Sequence, residues 1–228
     1  MRILPAILFI LGVTVFAIWF WYVAKIERDH KRATPATIDE LYENLQNGDV
    51  IQFFSRLNSL KKFVWVPMAK FVTNSIYSHT AIVVEEEGKK WVYAFAKAPS
   101  KSRTPIWPEN DQMCRAELRK FLELNMKWES FVMRVFRAPQ KVKNANIREA
   151  AATMKDHRYW ASRFSLNIGR EGKMLHCGNF VGGILEALSA LDPAEVPTPI
   201  LEYRPYRLGK ILVEKAGYSV PEIFEIRP

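Results

Sequence analysis

Between Ile3 and Ala24 the chain carries no charged residue. A run this long, rich in Leu, Ile, Val and Phe, can cross a bilayer as one helix, and a helix apolar on every side has little use at the surface of a globular domain. Its closing cluster, Trp19-Phe20-Trp21-Tyr22, has the composition of an interfacial aromatic belt. A cleavable signal peptide has a shorter apolar part and a small-residue cleavage site, which Phe16-Ala17-Ile18-Trp19-Phe20-Trp21 does not offer. Residues 1–24 are therefore read as a retained transmembrane anchor. Arg2 alone precedes it, whereas Lys25, Arg28, Lys31 and Arg32 follow, so the positive-inside bias puts the remainder on the cytoplasmic or virion-interior side.

Residues 25–45 read as a basic juxtamembrane linker and a short helix. Thr34-Pro35-Ala36-Thr37 is linker-like, and Thr37-Ile38-Asp39-Glu40 has the capping-box pattern that opens a helix running to about Leu45. The domain proper spans 46–228. With 228 residues, 49% of them hydrophobic, the chain can bury one sizeable core. Its formal charge of +9 favours anionic surfaces. Zinc-finger spacing, an RNA-recognition signature and a Gly-rich phosphate loop are all missing from the sequence, so no specific nucleic-acid partner is expected. Two cysteines, Cys114 and Cys177, do not make a disulfide framework, although one bridge between them stays open. His30, His79, His157 and His176 lack paired metal-ligand spacing, and neither a metal nor another cofactor is expected.

Along the domain, Gln46-Asn47-Gly48-Asp49 is turn chemistry leading into a strand over Val50 to Phe54. Phe63 to Val72 is apolar and ambiguous between helix and strand. Ser75 to Val84 is rich in β-branched residues, ends in the charged turn Glu85 to Lys90, and pairs with Trp91 to Ala96 as a hairpin. On a period of two, His79, Ala81 and Val83 share one face. Lys97 to Pro108 reads as an exposed loop, Cys114 to Leu124 as a helix, and Phe131 to Arg137 as a strand. A helix follows over Asn144 to Asp156, capped by Asn144 or Asn146. The tail holds a helix near Leu208 to Lys215 and a closing segment, Tyr218 to Ile226.

In Leu175-His176-Cys177-Gly178-Asn179-Phe180, the cysteine comes just before an apolar helical stripe of Phe180, Val181, Ile184, Leu185 and Leu188. Unpaired N–H groups and the macrodipole at a helix start favour thiolate over thiol. A histidine base brought near would complete a minimal thiol apparatus. The same cysteine also suits a plain packing role, since cysteine is among the most buried residue types.

The order of these elements resembles a known family. A Gly48-Asp49 turn opens the first strand, Ser78-His79 opens the second, a hairpin partner follows, and after about a hundred residues Cys177 starts a helix. This resembles the circularly permuted NlpC/P60 papain-like cysteine hydrolases, including the YiiX-like proteins, the lecithin:retinol acyltransferase group and large-DNA-virus members. The resemblance covers roughly Gln46 to Leu188 and implies an α+β fold, an antiparallel sheet packed on helices, here preceded by one transmembrane helix. It implies Cys177 as nucleophile and His79 as general base, with Gly178 at the oxyanion side and Asp49 supporting the first core strand. Members usually carry a polar orienter for the imidazole on the strand after the histidine, and Tyr93 is the candidate in Val92-Tyr93-Ala94-Phe95. The residue after the family cysteine is often serine, where this chain has Gly178.

The implied activity is that of a membrane-anchored thiol hydrolase or acyltransferase acting on an ester or amide of a lipid or peptide through a thioester. A catalytically idle papain-like module that binds lipid or protein at a membrane, a viral one included, is the rival reading. The lack of an acidic, amide or histidine orienter on the strand after His79 favours that rival.

Overall fold

The computed structural model describes residues 3–53, 77, 79–95, 103–126, 131–159, 174–175, 177–196, 203 and 205–226. The apolar run opens a helix, α1 (Ile3–Arg32), that continues unbroken past Ala24. Residues 25–32 are thus part of the same helix and not a linker, because Lys25, Arg28, Lys31 and Arg32 are good helix formers with nothing to break them. The segment Phe9–Asp29 has a mean hydropathy of 1.9 and is long and apolar enough to span a membrane. Phe9, Ile10, Leu11, Val13, Phe16 and Phe20 are exposed. Ile18, Tyr22 and Asp29 are buried instead, and their spacing of four and seven residues makes one stripe along the helix. Part of the expected aromatic belt is therefore spent on docking α1 to the domain.

The segment expected as a linker forms β1 (Thr34–Ala36), which pairs in parallel with the last strand, β10 (Glu222–Ile226). Next comes α2 (Ile38–Asn44), with its capping box made: the Thr37 hydroxyl accepts from the Glu40 N–H at 3.2 Å, and the Glu40 carboxylate accepts from the Thr37 N–H at 2.7 Å. The main sheet continues with β2 (Val50–Phe53), β3 (His79–Glu86), β4 (Lys89–Phe95), β5 (Thr104–Trp107), β6 (Asn110–Glu117) and β7 (Phe131–Phe136). The spatial order is β1-β10-β7-β2-β3-β4-β6-β5, with every neighbour antiparallel except β1 and β10.

Three sequence expectations are corrected in the middle of the chain. Cys114 lies in β6, and the helix, α3 (Leu118–Met126), begins four residues later. Good helix formers lose there to strand pairing on both sides, with β4 and β5. The supposed loop contains β5, an edge strand, which is where Pro105 costs no ladder hydrogen bond. The helix expected over 144–156 is shorter. A single turn, α4 (Gln140–Lys143), precedes α5 (Ile147–Ala152), whose cap is Asn146 accepting from the Glu149 N–H. Residues 63–72 lie outside the described ones.

A small parallel pair, β8 (Arg158–Tyr159) and β9 (Met174–Leu175), leads to α6 (Cys177–Ala187). The expected tail helix is α7 (Pro205–Glu214). Helices cover both faces of the sheet. Val50, Ile82, Tyr93, Phe95 and Phe136 share one core with α5, α6 and α7. Ile51, Phe53, Ala81, Val83, Val92 and Val135 share the other with α2 and α3. The α+β class and the sheet packed on helices hold as expected.

Candidate functional site

Cys177 is the first residue of α6 and is buried, as are Gly178 and Asn179 after it. Phe180, Val181, Ile184 and Leu185 are fully enclosed, so the apolar stripe read from the sequence is the face that seats the helix. A Cβ at Gly182 would lie 2.5 Å from the Tyr203 ring, and one at Gly183 would lie 2.4 Å from the Met154 sulfur. These two residues admit neighbours from the segments around α5 and α7. His176 lies outside the described residues.

His79 is the first residue of β3. It lies opposite Phe53, and the two rings stack with centroids 5.4 Å apart and planes 21° from parallel. Phe53 in turn meets Phe121 of α3 edge-on at 5.2 Å. The imidazole is therefore on the α2/α3 side of the sheet, with Ala81 and Val83, as strand alternation requires.

Cys177 comes to the same end of the sheet. Phe180, one turn further along α6, packs at 5.7 Å against Phe95 of β4. The β3–β4 ladder pairs Ile82 with Tyr93, and Phe95 lies two residues beyond Tyr93 toward the end of the sheet where β3 starts. The start of α6 and the start of β3 therefore lie toward one end of the sheet but on opposite faces of it, the imidazole with α2 and α3 and Cys177 with the other layer. On the α6 side this end is polar as well as aromatic. Gln52 is opposite Thr80, both are buried, and the Thr80 hydroxyl oxygen has no hydrogen-bond partner among the described residues.

Tyr93 does something other than orient the imidazole. It is opposite Ile82, on the α6 side of the sheet, and its hydroxyl donates to the Glu86 carboxylate at the far end of the hairpin. Glu86 also pairs with Arg115 at 2.9 Å and Arg148 at 3.5 Å. Burial first, and then Glu86, push the Tyr93 phenol above its ordinary value. On β4 it is Ala94 that shares His79's side, packed with Ala81 on the α2/α3 face, because strand period puts Tyr93 on the opposite side.

Asp49 is also remote. Its backbone carbonyl accepts from the Val83 N–H at 2.8 Å. Val83 is four residues along β3 from His79, about 13 Å at strand rise. The fully buried carboxylate accepts from the Gln46 N–H at 3.1 Å, the Ala138 N–H at 2.9 Å and Arg137 Nη1 at 3.0 Å. Gly48 takes a positive φ of 86° at this turn. The pair is a structural knot that fixes where β2 begins.

Cys114 and Cys177 are not joined by a disulfide. Cys114 lies opposite Ala94, on the α2/α3 side, so the sheet separates it from the α6 layer. Among the described residues no group of three or more His, Cys, Asp or Glu side chains could hold a metal ion. Sequence reasoning passed over Asp29, a carboxylate buried at the end of the apolar helix. It holds Tyr77 and Arg134, and its only sequence signal is an acid among basic residues.

No protein-family model matches the chain, and no curated protein matches it. Among solved structures it is similar to the crystal structure of metalloprotein YiiX, DUF1105, from Escherichia coli O157:H7, with 20% identity and a TM-score of 0.38 over 64% of this chain and 67% of that one.

Proposed function

We propose that this protein is a membrane-anchored thiol hydrolase or acyltransferase in which Cys177 is the nucleophile and His79 the general base. One observation supports the reading: α6, which begins at Cys177, packs through Phe180 on Phe95 of β4, the strand beside the one that His79 opens, although the imidazole faces the other side of the sheet. In the reaction, His79 takes the Cys177 proton and the sulfur attacks the carbonyl carbon of an ester or amide. The carbon–sulfur bond forms, the bond to the leaving alcohol or amine breaks, and the imidazolium returns the proton to that leaving group. Water or a second acceptor then cleaves the thioester and restores the thiol. Backbone N–H groups of Cys177 and Gly178 at the helix start are suited to the developing oxyanion. The α1 helix would hold the domain at a bilayer, and the basic residues 25–32 would favour an anionic surface. A lipid ester and a peptide or isopeptide bond both suit this chemistry.

The idle binding module is the second reading, and the stacking of His79 on Phe53 favours it. A Cys114→Ser full-length protein in detergent micelles separates the two. In the catalytic reading, alkylation of Cys177 rises with a pH midpoint below the free-cysteine value of about 8.5, and the midpoint returns toward that value in His79→Ala. An ordinary midpoint indifferent to His79→Ala would sink the catalytic reading.

A further inference from the structure

We propose that Asp29, near the end of the apolar N-terminal helix, is a positioning residue for the Cys177–His79 site, acting by clamping Tyr77 and Arg134 at the sheet end where that site lies. This rests on the reading of Cys177 and His79 as the reacting pair.

Asp29 is 4% exposed. One of its oxygens, Oδ2, accepts from the Tyr77 hydroxyl at 2.7 Å and from Arg134 Nη2 at 3.1 Å. The Arg134 guanidinium also lies over the Tyr77 ring, 4.2 Å from its centroid. Acid, phenol and guanidinium therefore form one closed group, and each member touches the other two. A buried carboxylate is tolerated only when it is paired in this way, and removing one partner strands the others without water.

Two routes lead from this group to the site. The first is along the chain: Tyr77, 2% exposed, comes two residues before His79, so fixing its hydroxyl fixes the entry to β3. The second is across the sheet. Arg134 alternates with Met133 and Val135, which face α2 and α3, so it belongs to the α6 side. Its cross-strand neighbour is Gln52 and the next is Thr80, and the adjoining strand β4 carries Phe95, on which Phe180 packs one turn after Cys177. Asp29 thus ties α1 both to the strand of the base and to the row beneath the helix of the nucleophile. Tyr22 and Ile18, buried on the same stripe of α1, hold the helix against the domain above it.

The test uses the full-length Cys114→Ser protein in micelles, with Asp29→Ala, Asp29→Asn and Tyr77→Phe beside His79→Ala. Two readouts are taken on each: hydrogen exchange of the amides from Thr80 to Ile82, and the pH profile of Cys177 alkylation by iodoacetamide. Asp29→Ala is expected to speed exchange there at least tenfold and to move the alkylation midpoint toward that of His79→Ala. Asp29→Asn keeps an acceptor for Tyr77 and should fall between the two. Tyr77→Phe keeps the ion pair, so it gives the same direction with less disruption should Asp29→Ala fail to fold. A lowered melting temperature with exchange and alkylation profile both within twofold of the parent would overturn the inference and leave Asp29 a stability residue. If His79→Ala does not shift the profile either, the reacting pair itself is wrong and the positioning role falls with it. A shifted His79→Ala beside an unshifted Asp29→Ala overturns the present inference alone.

Discussion

Asp49 gives the sharpest separation of fold from site. Its carboxylate, fully buried, accepts three hydrogen bonds, from the Gln46 and Ala138 N–H groups and from Arg137 Nη1. Asp49→Ala leaves two backbone donors and a guanidinium that has lost its buried partner. Breaking a buried ion pair from one side costs about 3–5 kcal/mol, and the two orphaned N–H groups place the loss in the upper part of that range. Arg137 limits the damage, because it keeps Glu222 at 2.8 Å and the Asn44 carbonyl at 2.9 Å. Asp49→Asn retains one acceptor oxygen but aims an NH2 group at another donor, so it should cost about 2–3 kcal/mol. Urea unfolding followed by tryptophan fluorescence measures both. With a slope of about 2 kcal/mol/M, the alanine variant should unfold roughly 2 M earlier without a change of slope. Under native conditions its Cys177 alkylation should match the parent within twofold, because the knot is at the other end of β3. A cost below about 1 kcal/mol, or an altered thiol in a protein of unchanged stability, would refute this account of Asp49.

Gly182→Ala drives a methyl group to within 2.5 Å of the Tyr203 ring, and overpacking of that kind costs about 1–3 kcal/mol; thermal unfolding checks it, and an unchanged midpoint would show that the ring moves freely. Tyr93→Phe removes a donor from the Glu86 carboxylate and should cost about 1.5–3 kcal/mol in urea unfolding with no effect on Cys177 alkylation; a changed thiol profile would return Tyr93 to the site. The phenols of Tyr77, Tyr93 and Tyr218 are all pushed above the ordinary value, by burial first. Their folded values lie above the unfolded value of about 10, so the stability they contribute is complete below about pH 10 and drains away as the pH rises beyond it. Absorbance titration should show these three still protonated at about pH 11 while the folded protein persists, whereas all eight tyrosines ionising together near pH 10 would contradict their burial.

Local chemistry was legible wherever one short pattern decides the outcome. The capping box at Thr37, the Gly48-Asp49 turn, the hairpin around Gly88 and the stripe of the Cys177 helix all follow from residues a few positions apart. What could not be read depends on partners distant in sequence. Residues 110–117 are strand only because β4 and β5 flank them, and Thr34–Ala36 is strand only because Glu222–Ile226 comes beside it. The site shows the same division. Period two set His79 on a face with Ala81 and Val83, but nothing within the strand says on which face α6 will settle. Tyr93 was assigned to His79 for its chemistry alone, and the partner that claims its hydroxyl, Glu86, lies seven residues earlier across the hairpin. Asp29 was hidden for the same reason, since Tyr77 and Arg134 are 48 and 105 positions away.

His79 carries two roles that one substitution can pull apart. As a ring it stacks on Phe53 at 5.4 Å, and as a base it is proposed to serve Cys177. Alanine removes both, so a change in His79→Ala mixes lost packing with lost proton transfer. His79→Phe keeps a ring of similar breadth on Phe53, and an aromatic pair of this kind contributes about 0.5–1.5 kcal/mol beyond area burial. The variant should therefore stay within about 1 kcal/mol of the parent in urea unfolding, while alanine loses more. The readings then part at the sulfur. If the imidazole takes the Cys177 proton, His79→Phe raises the alkylation midpoint as far as His79→Ala does despite its intact stack. If the ring is only a brace at the entrance to β3, His79→Phe alkylates as the parent does and only the alanine variant differs, through looser packing. Equal midpoints in the parent and His79→Phe would remove the base from the mechanism and leave the stack as the reason a histidine stands there.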